Sequence, residues 1–451
     1  MISEGDILDL KIEELGFGAR GLGRLSSFVI WVDGALPGDI VRVKITGRKP
    51  NYAEARILEF LEYSEERVQP RCKQHARCGG CQLLELQYES QLDYKEKQLK
   101  DALERIGKQS DFIMRAMVPS PEMFRYRNRM EFSFGFGGNG DMQIGLHLPE
   151  CSEKIEGLNG CHLQSQYADR ILRKCGEFFS GSAQFIDTER SPNARHLLIR
   201  EGRNTGEFLV AVTAPAEDEK ITTRLASELV SEFPQVKTFI FRALRSGAYG
   251  KSFIEDRIIH GDGTIEEKVE SLRFMVNCDS FFQANTKQTA NLLRIVKGFA
   301  GRKPVSSLLD LYCGSGSLSL FLSDIAHEVM GIDLSEPSVH AALHNARKNG
   351  SRNCRYQHAS SEEGSMNLLD AGKEYDLVVT NPSRSGMSEK ALHNLTRLSP
   401  ARIIYVSCNP STLARDLKIL KDSGYLLVEV VPVDMFPHTY HIESVSYLTK
   451  P

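Results

Sequence analysis

No apolar stretch in this chain reaches the roughly 18 residues that a membrane-spanning helix needs. The opening residues, Met1-Ile2-Ser3-Glu4-Gly5-Asp6, also lack the basic-then-apolar order of a secretory leader. Neither a membrane span nor export is expected, and a cytoplasmic protein is. Charge of one sign is missing too, with 56 Lys and Arg against 59 Asp and Glu. That balance argues against a general coat for a polyanion, so a nucleic-acid partner has to be gripped by local patches. Repeats and low-complexity tracts are absent from the middle section, 124–280. At 451 residues the chain is too long for one core, and two to four domains are expected.

Residues 1–62 alternate short β-type runs with glycine turns, among them Ile7-Leu8-Asp9-Leu10-Lys11-Ile12, Phe28-Val29-Ile30-Trp31-Val32 and Ile40-Val41-Arg42-Val43-Lys44-Ile45. Such spacing predicts a small β-barrel. Apolar positions at helical spacing predict an amphipathic helix over 90–107, capped by Ser90. Between 124 and 280, β-type runs at 130–136, 196–200, 207–213, 238–242 and 272–276 surround one polar helix at 217–232, an α+β texture. Beyond 286, apolar strands at 306–311, 329–332, 377–380, 403–407 and 426–431 alternate with helical patterns, which predicts a parallel sheet flanked by helices. The fold expected is multidomain: a β-barrel over 1–64, a central α+β domain over 65–275 and a Rossmann-like α/β domain over 276–451. One basic patch stands out. Read as a strand, Phe124-Arg125-Tyr126-Arg127-Asn128-Arg129 sends three arginines to one face, where they can track phosphates; the alternative is a solvated face over two core aromatics.

Cys72, Cys78 and Cys81 stand at Cys-x5-Cys-x2-Cys spacing around Gly79-Gly80. A loop that folds back on itself aims several sulfurs at one point, which suits a metal centre. A fourth ligand has to come from elsewhere, and Cys161 in Asn159-Gly160-Cys161 is preferred to Cys151. Zinc stays open because His75 is at hand, while disulfides do not suit a chain without an export signal.

The run Leu309-Asp310-Leu311-Tyr312-Cys313-Gly314-Ser315-Gly316-Ser317 is a glycine-rich turn after an apolar strand. Asp333 ends the next strand, where a carboxylate accepts hydrogen bonds from ribose hydroxyls. The loop alone does not separate a dinucleotide from S-adenosylmethionine. Asn381-Pro382-Ser383-Arg384-Ser385-Gly386 decides, since an amide or acid before Pro at a strand end is similar to methyltransferase active-site loops. Cys408, in Ser407-Cys408-Asn409-Pro410, follows strand 403–407, and the Asn-Pro turn exposes it at the sheet's carboxyl edge. Glu443 closes the run Asp434-Met435-Phe436-Pro437-His438-Thr439-Tyr440-His441-Ile442-Glu443. A thiolate, a separate base and a methyl-donor site are the parts that alkylation of a pyrimidine 5-carbon requires, because addition at C6 must first make that carbon electron-rich.

The turn Gly34-Ala35-Leu36-Pro37-Gly38-Asp39, closed by Tyr52-Ala53-Glu54-Ala55, resembles that of the TRAM domain, an OB-like RNA-binding module. Together these motifs resemble the RNA 5-methyluridine methyltransferase family over nearly the whole chain, in particular its ribosomal RNA branch with a TRAM domain and a 4Fe-4S cluster. The resemblance implies a class I methyltransferase domain with Cys408 as nucleophile and Glu443 as base. It implies a cluster on Cys72, Cys78, Cys81 and Cys161. Gln283 of Phe281-Phe282-Gln283-Ala284-Asn285, with Tyr312, Ser317, Asp333, Ser360 and Asn381, is the implied S-adenosylmethionine set. The implied reaction is methylation of uridine C5 in RNA, 23S ribosomal RNA first, through a covalent Cys408–C6 adduct, by a monomer that binds no membrane. Two residues depart from the family: Asn381 stands where it has Asp, and Asp333 where it often has Glu. An amide donates to O4 and accepts from N3–H of uracil, so uracil stays readable. The alternatives are transfer RNA as substrate, a cytosine-C5 RNA methyltransferase, and a non-catalytic RNA-binding protein whose site decayed at Asn381.

Overall fold

Alternating apolar residues in the first five strands turn inward and close a barrel. The strands are Ile7–Gly16, Arg20–Leu25, Phe28–Asp33, Ile40–Arg48 and Tyr52–Glu62, and Leu10, Ile12, Ile30, Val32, Val41 and Val43 fill the interior. The computed structural model describes residues 2–75, 77–136, 142–149, 151–180, 195–246 and 252–450. Closure brings backbones close: a Cβ at Gly21 would stand 2.6 Å from the Ala35 carbonyl oxygen, and one at Gly23 2.6 Å from that of Lys11. Asp39, wholly buried, accepts hydrogen bonds from the Leu36 and Ser64 N–H groups and from Arg67. That carboxylate pins the turn before the fourth strand to the chain leaving the barrel.

The middle section forms, among the described residues, a seven-stranded sheet in the order Ser252–His260, Val236–Ser246, Phe208–Pro215, His196–Glu201, Arg129–Phe136, Met142–Leu148, Cys151–Gly157. Helices Gln166–Ser180 and Glu219–Glu232 cover one face through Ile171, Leu172, Leu225 and Leu229. Leu198, Leu209, Ala211 and Ile240 join the carboxy-terminal core. The arginine row expected over 124–129 does not form. Arg125 adopts φ 59°, which breaks the strand alternation, and its guanidinium donates to the Cys161 and Gln164 carbonyls and to Asp169. Tyr126 is buried, and ladder pairing begins only at Arg129, opposite Arg200, while the Arg129 guanidinium forms an ion pair with Glu131.

The carboxy-terminal sheet has eight strands, in the order Cys354–His358, Ala326–Asp333, Val305–Leu311, Leu377–Thr380, Arg402–Ser407, Glu443–Thr449, Leu426–Val433, Ile113–Met114. The first five run parallel, as their apolar texture predicts; Glu443–Thr449 enters antiparallel between its neighbours. The predicted helix at 90–107 runs from Tyr88 to Arg105. Ser90 does not cap it, because the helix starts earlier and buries Ser90, and the capping position is Gln87 without a side-chain bond. Leu99, Leu103 and Met117 pack with Leu413, Leu417 and Tyr425 in the carboxy-terminal core. Residues 88–118 thus serve that sheet, although the texture change lies near 286 and the expected domain boundary at 276. No helix among the described residues is long and apolar enough to cross a membrane.

Candidate active site

Strands Arg402–Ser407 and Glu443–Thr449 pair with Val406 opposite Val445 and Ser407 opposite Ser444. One step beyond that ladder, Cys408 and Glu443 become neighbours on adjacent strands. Asn409 ends the strand by accepting from the Ser411 N–H at 3.0 Å, which caps helix Pro410–Asp422 and leaves Cys408 half-buried at the carboxyl edge. Glu443 is 2 % exposed. Burial pushes its carboxyl up to about 8, against the pull of Arg384. Burial, then the Glu443 charge, push the Cys408 thiol up to about 11, and Arg384 again opposes. Arg384 therefore acts on both groups. Its Nη2 lies 3.3 Å from His441 Nε2, and its carbonyl accepts from Asn409 Nδ2 and Thr412 Oγ1, both at 3.1 Å. The sequence reading gave Arg384 no role; the one signal for it is membership of the loop after Asn381-Pro382. Burial pushes His438 and His441 down to about 4, so both imidazoles are neutral at neutral pH.

A pocket of about 380 Å³ opens at the carboxyl ends of the parallel strands. Gly316, at φ 82°, makes the turn: a Cβ there would stand 2.7 Å from Tyr356 Oη. Asp333 accepts from the Gly314 N–H at 2.9 Å and the Ser335 N–H at 2.8 Å, one on each oxygen, which leaves lone pairs for hydroxyl donors. Ser360 caps helix Ser361–Asp370, and Ser361 Oγ donates to Tyr312 Oη at 2.8 Å. Tyr312, Asp333 and Ser360 thus meet in this pocket, with Leu334, Glu362 and Met387, which the sequence reading did not name. Gln283, Ser317 and Asn381 are not among its lining residues. Ser317 and Asn381 lie at the glycine loop instead, and the Gln283 carbonyl accepts from Asn128 Nδ2 at 2.9 Å. Ser317 opens helix Ser317–Leu322. The Asn381 N–H donates to the Leu311 carbonyl at 3.4 Å. Gln283 shares its loop with Phe281, whose carbonyl accepts from Ser315 Oγ at 3.4 Å.

Cys72, Cys78, Cys81 and Cys161 line one cavity, together with His75, Phe124 and Arg127, and Cys151 does not. Burial, then repulsion from Cys161, Cys78 and Cys72, push Cys81 up to about 12. No group of three or more His, Cys, Asp or Glu among the described residues is arranged around a single metal ion. The cavity also touches the segment that leads to Glu443. The Leu83 N–H donates to the His438 carbonyl at 2.9 Å, Phe124 stacks on His438 at 4.4 Å and Tyr126 Oη donates to the Pro437 carbonyl at 3.1 Å.

Known proteins resemble this chain in sequence and fold. The family described as tRNA (uracil-5-)-methyltransferase matches residues 248–451, and the TRAM domain matches residues 3–58. An uncharacterized RNA methyltransferase of Halalkalibacterium halodurans is 32 % identical over 99 % of this chain and 98 % of its own length. Another, of Caldanaerobacter subterraneus subsp. tengcongensis, is 33 % identical over 99 % of this chain and 98 % of its own. The crystal structure of Pyrococcus abyssi tRNA (uracil-54, C5)-methyltransferase in complex with S-adenosyl-L-homocysteine superposes with a TM-score of 0.73 at 27 % identity, covering 98 % of this chain and 100 % of that one. With identity of this level along almost its whole length and both family models matched, the chain belongs to the RNA (uracil-5-)-methyltransferase family.

Proposed function

We propose that the protein transfers a methyl group to C5 of a uridine in RNA, with Cys408 as nucleophile and Glu443 as base. The observation that carries this reading is the strand pairing that sets a thiol beside a buried carboxyl, with Arg384 acting on both. The Cys408 thiolate adds to C6, so that the ring electrons move to C5. S-adenosylmethionine supplies the methyl group that C5 takes. Glu443 then removes the C5 proton, the electron pair re-forms the C5–C6 double bond and the thiolate leaves. Desolvation makes the carboxylate a stronger base than one in water. Tyr312, Asp333 and Ser360 would hold the methyl donor from the pocket, with Gln283, Ser317 and Asn381 completing the set around the glycine loop.

The target base has to leave any helix to reach both groups, which favours looped or single-stranded RNA. Ribosomal RNA, with 23S first, is our expected substrate, given the TRAM barrel and the four cysteines. The structural relative, a tRNA (uracil-54, C5)-methyltransferase, keeps transfer RNA as the second reading. Cys72, Cys78, Cys81 and Cys161 would hold a 4Fe-4S cluster: the four sulfurs line one cavity, and a set of four cysteines is the ligand set such a cluster takes. There the cluster would tie the 72–84 loop to residues 434–443. The domain division remains 1–64, 65–275 and 276–451 in this reading, although residues 88–118, with strand Ile113–Met114, pack on the last unit.

RNA carrying 5-fluorouridine tests the reading, because fluorine cannot leave as a cation and elimination stalls. The wild type should give an adduct that survives denaturing electrophoresis. Cys408→Ala should give none and bind S-adenosylmethionine nearly as well as the wild type. An adduct that persists in Cys408→Ala would move the nucleophile elsewhere.

A further inference from the structure

Beyond the catalytic pair, the amino-terminal barrel reaches the site with one side chain. Phe17-Gly18-Ala19 joins the first two strands, with Gly18 at φ 90° and Ala19 at φ 61°, and it holds Phe17 out at 42 % exposure. The Phe17 ring meets Tyr440 edge-on at 5.4 Å, Tyr440 meets His441 at 4.3 Å, and His441 meets Phe436 at 5.7 Å. His441 lies 3.3 Å from Arg384, which acts on the Cys408 thiol. A chain of ring contacts therefore runs from the barrel loop to His441, beside Arg384. Phe17, Tyr440 and His441 all keep part of their surface open. Gln98 fixes the barrel in this position by donating from Nε2 to the Leu15 carbonyl at 2.8 Å.

An interdomain seam alone is served by aliphatic side chains, which bury without needing a π face. A row of partly open rings beside an exposed guanidinium has the chemistry that holds unstacked bases of single-stranded RNA. We propose that Phe17, Tyr440 and His441 form a stacking subsite for a nucleobase next to the target uridine. The barrel then contributes directly to the active-site entrance. A flipped uridine leaves its neighbours without a stacking partner, and this subsite replaces that partner. The inference rests on RNA being the substrate of the Cys408 site.

The test uses single-stranded RNA with 5-fluorouridine at its centre and 2-aminopurine at one flanking position, in a series that covers both sides. With the full chain in excess, 2-aminopurine at one neighbouring position should be quenched by stacking. Phe17→Leu keeps an apolar contact to Tyr440 and removes the π face. It should relieve the quench and weaken RNA binding about 10-fold, the scale of one lost base–aromatic stack, with melting temperature and S-adenosylmethionine affinity unchanged. Phe17→Trp should restore both. Equal quenching in wild type, Phe17→Leu and Tyr440→Leu would overturn the subsite. Adduct formation in the same samples reports separately on the catalytic reading, and an adduct without Phe17-dependent quenching leaves that reading intact.

Discussion

Replacing Glu443 with Gln should stabilise the fold at alkaline pH and stop turnover, opposite effects from one buried group. Burial holds the carboxyl at about 8 in the folded chain, against 4.5 for the free side chain. The folded protein keeps a proton that the unfolded chain releases above pH 4.5. This stabilising contribution is fully present below 4.5, declines as pH rises and is gone above 8. At about 1.4 kcal/mol per unit, the loss reaches roughly 3 kcal/mol at pH 7 and roughly 5 kcal/mol at pH 9. Gln has nearly the same shape and cannot ionise, so it escapes the loss. Urea unfolding of both proteins at pH 5, 7 and 9 should show the variant's advantage growing by about 3–5 kcal/mol across the range. With ordinary uridine RNA, Glu443→Gln should also accumulate methylated RNA still bonded to Cys408, since addition and transfer precede the step that needs the base. Parallel pH dependences in the two proteins would refute the burial argument. Product released at the wild-type rate would refute the role of base.

Two further outcomes follow from the cysteine cavity and from Asn381. Anaerobically purified protein should carry iron and sulfide at about four each per chain, and Cys81→Ser should lose them and raise hydrogen exchange over 434–443, the segment held by Leu83 and Phe124; stoichiometric zinc without sulfide would refute the cluster. If the Asn381 amide reads the uracil edge, the wild type should methylate uridine and not cytidine, and Asn381→Asp should stay active on uridine. A wild type inert on every RNA, rescued by Asn381→Asp, would instead mark a decayed site.

Much of the fold was legible because it is written in local patterns. Apolar strands at regular spacing foretold the parallel sheet, and glycine turns foretold the barrel. Local reading failed where one residue changes direction. Arg125, left-handed, turned an expected strand into a bend and its guanidinium toward carbonyls. Ser90 fell inside its helix because packing of Leu99 and Leu103 on the carboxy-terminal core sets that helix, not a cap.

The site divides in the same way. By itself the sequence determined which chemical groups the chain owns and that Cys408, Asp333 and Asn381 fall at strand ends, since strand texture and turn residues act over a few positions. The tertiary structure alone decided what those groups meet. Glu443 stands beside Cys408 only because its strand enters the sheet antiparallel at that edge, Arg384 reaches both from a different strand end, and Phe17 arrives from another domain. Strand order and domain docking depend on contacts between segments far apart in the chain, and no local pattern carries them.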